Sequence, residues 1–318
     1  MNIVVLDGYT LNPGDLNWNE LEKLGNVEIY DRTPAELTVE RSKNAEIVIT
    51  NKTLITKEVI KELPKLKYVG VLATGYNVVD IATASNNGIV VTNVPAYSTD
   101  SVAQVTFSLL LELLINVGIH NTSVHNREWQ NSIDFSYAKT PLIELNGLTI
   151  GIVGFGRIGK SVAKIANAFG MTVLANNRSK IKDAHEYVKV VEKEELFKTS
   201  DVVSLHAPLT DENSEFLNSK IINIMKPTSY IINTGRGGLI NESDLADALN
   251  NNKIAGAGLD VLSTEPPLKD NPLLSSKNCI ITPHIAWATI AARKRLMNIA
   301  VNNVRNFIEG KPENIVDN

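Results

Sequence analysis

Residues 148–178 constrain the fold more than any other part of the chain. Residues 148–153 are an apolar run, residues 154–159 read GFGRIG, and Val162, Ile165, Ala166 and Phe169 follow at helical spacing. A second apolar run at 172–175 closes the pattern. Strand, glycine turn, helix and strand in that order open a βαβ unit. Each glycine has its own task there. Gly154 permits the tight turn, Gly156 lets the backbone approach a pyrophosphate, and Gly159 lets the helix close onto the strand. The unpaired N–H groups at the helix start then form an anion site. A dinucleotide site is the expectation, with a glycine-rich turn in some other α/β protein as the alternative.

The rest of the chain repeats the alternation. Residues 3–6, 27–30, 47–50, 68–72 and 89–92 read as strands, with helical runs at 18–24, 34–43, 57–63 and 80–87 between them. After the glycine unit come strand candidates at 202–205, 230–233, 256–261 and 279–282, and Asn241 caps a helix over 242–250. Strands alternating with helices predict parallel sheets covered on both faces. Ser101 to Gln104 reads as a capping box heading an apolar helix that runs to about Val117 and crosses into a second domain. Residues 120–145 hold Trp129, Phe135 and Tyr137 among polar neighbours, which predicts an irregular stretch placed against a partner copy, or a loop folded on its own subunit. A last helix over 291–309 could return to the first domain and is ended by Gly310 and Pro312.

A chain of 318 residues favours two domains on a prior of ~150 residues each. The formal charge of −4, with both signs interspersed, argues against nucleic acid and anionic membrane as partners. One cysteine, Cys279, excludes an internal disulfide. The five histidines show no zinc spacing, so no metal site is expected. The apolar run at 3–6 stops at Asp7 without a basic leader, and the one at 105–119 is too short for a bilayer, so the expected location is cytoplasmic.

Three residues stand where chemistry is expected, in polar turns after buried strands. Arg236, flanked by Gly235 and Gly237, could reach a carboxylate with its fork, although alone a structural ion pair explains it as well. His284 follows Pro283 directly after a strand and suits a general acid or a structural histidine. Glu265 precedes Pro266 and Pro267, a stiff turn that could fix a carboxylate. Spacing alone does not bring Glu265 to His284.

The blocks GFGRIG (154–159), HAPLT (206–210), NTGRG (233–237), Leu259-Asp260-Val261 with Glu265-Pro266, and PHIA (283–286) resemble, in order and spacing, the D-isomer-specific 2-hydroxyacid dehydrogenases. The opening LDGYTLNPGD, Ala73 to Asn77 and Trp287 are similar to the glycerate dehydrogenase (hydroxypyruvate reductase) branch. The resemblance implies an α/β protein of two doubly wound parallel-sheet domains. A Rossmann cofactor domain (100–287) would be inserted into a flavodoxin-like substrate domain (1–99), with a C-terminal helix (288–318) returning to the latter. The implied activity is hydride transfer between a nicotinamide cofactor and a small D-2-hydroxy or 2-oxo acid, either hydroxypyruvate/D-glycerate or glyoxylate/glycolate.

The resemblance also implies residue roles. His284 would exchange the proton at the substrate oxygen, Glu265 would orient it, and Arg236 would grip the substrate carboxylate, joined by the backbone of Leu72, Ala73, Thr74 and Gly75. The cofactor would touch the turn of Gly154, Phe155, Gly156, Arg157, Ile158 and Gly159. Further contacts would come from Thr106, from His206, Ala207 and Pro208, from Thr234, Gly235 and Arg236, and from Asp260, His284 and Ala286. Asn177 takes the place, at the end of the second strand, where an acidic residue receives the ribose of NAD, and Arg178, Ser179 and Lys180 follow it. NADP(H) is therefore expected over NAD(H), and a homodimer is the expected assembly. The alternatives are a lactate-, formate- or phosphoglycerate-type enzyme of the family, or a dinucleotide-sensing, corepressor-like interaction protein.

Overall fold

The computed structural model describes residues 1–316. Its contacts divide into two units, one of Met1–Ser98 with the chain from Ala288 onward, the other Thr99–Trp287. Asp317 and Asn318, the end of the expected return segment, lie outside the described residues.

The first unit carries β1 (Asn2–Val5), β2 (Asn26–Ile29), β3 (Ile47–Thr50), β4 (Tyr68–Val71) and β5 (Val90–Thr92), all parallel in the order β2-β1-β3-β4-β5. β3 and β4 are buried at every residue and β2 alternates with solvent, as central and edge strands should. Val4, Leu6, Val48, Val69 and Val71 meet Ile55 and Ile60 in the core on one face. The helix Ile290–Ile308, capped by Thr289, sets the Phe307 ring against Tyr68, tilted by 36° with centroids 4.7 Å apart. Asn303 Nδ2 donates to Asn93 O at 2.9 Å, and Arg293 forks onto Asp15 at 2.7 and 2.6 Å, so the return helix is tied in by polar as well as apolar contacts.

Strand ends in this unit are pinned to one another. Asp7, just past β1, accepts the N–H groups of Asn51, Lys52 and Thr53 at 2.7, 2.6 and 2.8 Å. Asn51 Nδ2 in turn donates to Leu72 O at 2.7 Å beyond β4. One carboxylate thereby sets the loop that sets the next loop.

The second unit holds β6 (Thr149–Val153), β7 (Thr172–Asn176), β8 (Val188–Val190), β9 (Val202–Leu205), β10 (Tyr230–Asn233), β11 (Gly256–Leu259) and β12 (Cys279–Ile281). All are parallel, in the order β12-β11-β10-β9-β6-β7-β8. The order reverses between β6 and β9, the switch point at which such sheets bind ligands beyond the strand ends. The fold is thus α/β with two parallel sheets, as expected.

Several local expectations need correction. The helix begins at Thr99, so Ser101 sits inside it instead of capping it, and its Oγ donates to Ala286 O at 2.5 Å. That helix stops at Ile115, where Asn116 takes a left-handed φ of 53°, and a second helix, Val117–His125, occupies part of the stretch expected to be irregular. Among the described residues no single helix is long and apolar enough to cross a membrane; these two meet at 57°, and the first supplies Phe107, Leu110 and Leu114 to the core. β8 and the helices Lys193–Thr199 and Ser219–Ile222 are additional elements.

Candidate active site

The glycine turn is built by contact. Gly154 has φ +94°, and a Cβ there would lie 2.4 Å from Ala207 N, so the turn after β6 and the turn after β9 touch at the switch point. A Cβ on Gly159 would lie 2.4 Å from Gly154 O, which fixes glycine where the helix Arg157–Ala168 closes on the strand. Gly156, the N-cap residue, has nothing within 4 Å of its Cβ position, and no side chain caps the helix. Open ground beside exposed helix N–H groups suits a pyrophosphate, so the residues present fit a dinucleotide.

The turn after β9 presents backbone outward and its imidazole inward. His206 N donates to Val153 O at 2.8 Å, and Nε2 meets Ser204 Oγ at 2.8 Å. Nδ1 is sealed from solvent without a hydrogen-bond partner among the described residues. Burial lowers the imidazole pKa to about 4, so the ring is neutral at physiological pH. The His206 ring therefore offers no cation to a cofactor.

At the end of β7 the expected cradle is divided. Asn177 Nδ2 donates to Ser179 Oγ at 3.0 Å, and Asn177 and Lys180 line a common pocket with Phe155 and Lys160. Arg178 instead points to Glu212, 3.7 Å away, and both side chains are 80% exposed.

The ends of β10, β11 and β12 carry the residues expected to be reactive. Beyond β10, Asn233 Oδ1 accepts Gly235 N at 3.0 Å and its Nδ2 donates to Arg236 O at 2.9 Å. Arg236 is exposed, with Nη1 on Gly235 O at 2.8 Å. Thr234 Oγ1 and Thr106 Oγ1, both buried, lie 3.0 Å apart, tying this turn to the long helix. Beyond β11, the Asp260 carboxylate accepts Thr282 Oγ1 at 2.6 Å, Ile285 N at 2.9 Å and Ala286 N at 2.8 Å. Burial pushes its pKa up, against the pull of these donors. Asp260 thus shapes the turn that presents His284.

His284 itself stands at φ +53°, a conformation that a non-glycine residue adopts only when its surroundings impose it. Its N–H donates to Asp260 O at 2.9 Å, and Nδ1 meets Glu265 Oε2 at 2.6 Å. Glu265 Oε1 also accepts Leu262 N at 3.1 Å. A carboxylate only accepts, so Nδ1 carries a hydrogen and Nε2 is left to exchange a proton with a ligand. This is the arrangement of a general acid–base pair.

In the first unit the Leu72–Gly75 turn follows β4. Asn51 Nδ2 holds Leu72 O, Val94 N holds Ala73 O at 3.0 Å, and Asn93 Nδ2 holds Thr74 O at 2.7 Å. Three successive carbonyls are thereby fixed. The supporting roles of Asp7, Asn51, Ser204 and Asn233 escaped the sequence reading, and Ser101 reads there as a cap. Only Asn233, beside its glycine, carried a local signal, the tendency of Asn to bond the backbone two residues on.

Residues 107–286 match the family model described as D-isomer specific 2-hydroxyacid dehydrogenase, NAD binding domain. The chain is 52% identical to a hydroxypyruvate reductase of Blautia hydrogenotrophica, over the whole of both chains. It is 39% identical to a glycerate dehydrogenase of Methylorubrum extorquens, covering 90% of this chain and 89% of the relative. Among solved structures, an acyclic imino acid reductase in complex with NADPH and D-Arg superposes with a TM-score of 0.86 at 33% identity, covering 99% of this chain and 100% of that one. A D-lactate dehydrogenase of Aquifex aeolicus complexed with NAD and lactic acid gives 0.83 at 31%, covering 98% and 96%. A family match over more than half the chain and identity above half across its full length leave one conclusion: the chain belongs to the D-isomer-specific 2-hydroxyacid dehydrogenases, oxidoreductases of CH–OH donors that use a nicotinamide cofactor.

Proposed function

We propose that the protein reduces hydroxypyruvate to D-glycerate, accepts glyoxylate as a second substrate, and prefers NADPH. The observation that carries the catalytic part is the 2.6 Å contact between His284 Nδ1 and Glu265 Oε2. The nearness of the hydroxypyruvate reductase and glycerate dehydrogenase relatives supports the substrate.

A bound reduced nicotinamide supplies the hydride. The protein's own residues do the rest. Glu265 holds the His284 ring through Nδ1–H, and Nε2 delivers the proton to the substrate oxygen as charge builds there. The Arg236 fork pairs with the substrate carboxylate and polarises the neighbouring carbonyl. Backbone N–H groups of the Leu72–Gly75 turn are the proposed second hold on that carboxylate. The glycine turn, the helix start, Thr106 and Thr234 would hold the cofactor. Asn177 supports the choice of dinucleotide, because an amide does not repel a 2′-phosphate as a carboxylate would.

A homodimer is part of the same reading. Ile133 is 102% exposed and Phe135 90% exposed in the segment after the second long helix, apolar surface that a two-fold contact would cover.

The test is cofactor oxidation by purified protein with hydroxypyruvate, glyoxylate and pyruvate, each with NADPH and NADH. Highest kcat/KM with hydroxypyruvate and NADPH is expected. Turnover of pyruvate above both other acids would overturn the substrate, and an NADH preference of about tenfold would overturn the cofactor choice.

A further inference from the structure

We propose that Lys160, Lys180 and Lys182 form a subsite for the 2′-phosphate of the dinucleotide, with Lys160, on the glycine-turn helix itself, as a specificity-determining residue. The proposal rests on the reading of the glycine turn as a dinucleotide site and says where the 2′-phosphate goes.

The three lysines line one pocket with Asn177, over Phe155, and its volume is about 230 Å³. That is below the ~300 Å³ at which whole-ligand sites begin, so it suits one group of a larger molecule. Lys160 comes from the first turns of the helix Arg157–Ala168, and Lys180 and Lys182 from the segment between β7 and β8. Among the described residues none of these three is in an ion pair, so no carboxylate competes with a ligand for them. Lys160 also stands near the positive end of its helix, where a cation is disfavoured. An anion in this pocket would have three ammonium groups to pair with.

Charge matches the proposed occupant. The lining contains one acid, Asp183, so three lysines less one aspartate leave a formal +2. A phosphate monoester carries about −1.5 to −2 near neutral pH. Asn177, hydrogen-bonded to Ser179, adds a neutral polar wall. Arg178, whose sequence position suggests the same duty, is 3.7 Å from Glu212 and does not line the pocket.

Substrate-free calorimetric titration with NADPH and with NADH tests this without relying on turnover. The wild type is expected to bind NADPH at least about tenfold more tightly, the scale of charge-assisted hydrogen bonds to one phosphate, and the preference should shrink as salt rises. Lys160→Met and Lys180→Met should each remove most of that preference while NADH binding stays within about twofold, and Arg178→Ala should keep it. Equal binding of both cofactors by the wild type overturns the subsite and leaves the dinucleotide reading standing. Binding of neither overturns the dinucleotide reading, and the subsite with it. A preference that survives Lys160→Met but collapses in Arg178→Ala overturns the assignment by placing the phosphate beside Arg178.

Discussion

Glu265 Oε2 lies 2.6 Å from His284 Nδ1, a contact that joins residues 19 positions apart. Glu265 is itself held by Leu262 N–H through its other oxygen, and His284 by Asp260 through the main chain. The imidazole is therefore oriented before a ligand arrives.

His284→Ala should lower kcat by at least ~10²-fold, the scale of a positioned general acid, while cofactor binding persists. Steady-state kinetics with hydroxypyruvate, paired with NADPH titration, separates the two effects. Turnover within a few-fold of wild type would remove His284 from the proton path.

Arg236→Lys should cost about 10²-fold in kcat/KM, because a single ammonium cannot reproduce the two-pronged grip of guanidinium on a carboxylate. The turn holding Arg236 is fixed by Asn233 through main-chain atoms, so the substitution leaves it in place. An unchanged kcat/KM would show that another group binds the carboxylate.

Sequence legibility followed the range of the forces involved. β3, β9 and β10 were readable to the residue, because short runs rich in Val and Ile mark strands buried on both faces. The glycine turn was readable because its three glycines fall within six consecutive residues that lead from a strand into a helix. What stayed hidden depends on distant partners. Ser101 reads as a helix cap until the carbonyl of Ala286, 185 residues away, accepts a hydrogen bond from its hydroxyl. Asp7 reads as the end of a strand until three amides of the 51–53 loop converge on it. β8 is three residues long with only Val188 buried, too short for its pattern to mark a strand. Arg178 and Lys180 read as one cradle, but their side chains leave the turn in different directions.

The apolar segment with Ile133 and Phe135 predicts a dimer in solution. Covering each of these side chains would contribute roughly 1.5–3 kcal/mol of association, and a charge placed among them would cancel it. Phe135→Asp should therefore shift light-scattering mass from dimer to monomer with an unchanged circular dichroism spectrum, since so exposed a side chain contributes little to the subunit's own fold. A monomeric wild type at micromolar concentration would contradict the assembly.

His206 predicts a specific loss of stability in acid. Its imidazole titrates near 6.5 when unfolded and at about 4 in the folded protein, because the buried ring has no partner for the extra proton at Nδ1. Below 6.5 the unfolded chain takes up a proton that the folded one refuses, so acidification favours unfolding. The contribution is whole above 6.5, fades as pH falls, and is spent near 4, amounting to roughly 3 kcal/mol over that window. Carboxylates that titrate lower, such as Asp15 beside Arg293, act mainly below it. Denaturant unfolding of the wild type and His206→Gln should be compared at a series of pH values, reading the change with pH, since the glutamine also alters packing at every pH. The wild type should lose stability more steeply than the variant between pH 6.5 and 4 and at the same rate above pH 7. Parallel curves through that window would mean that the folded ring accepts its proton at no cost, and that Nδ1 has an acceptor in solution after all.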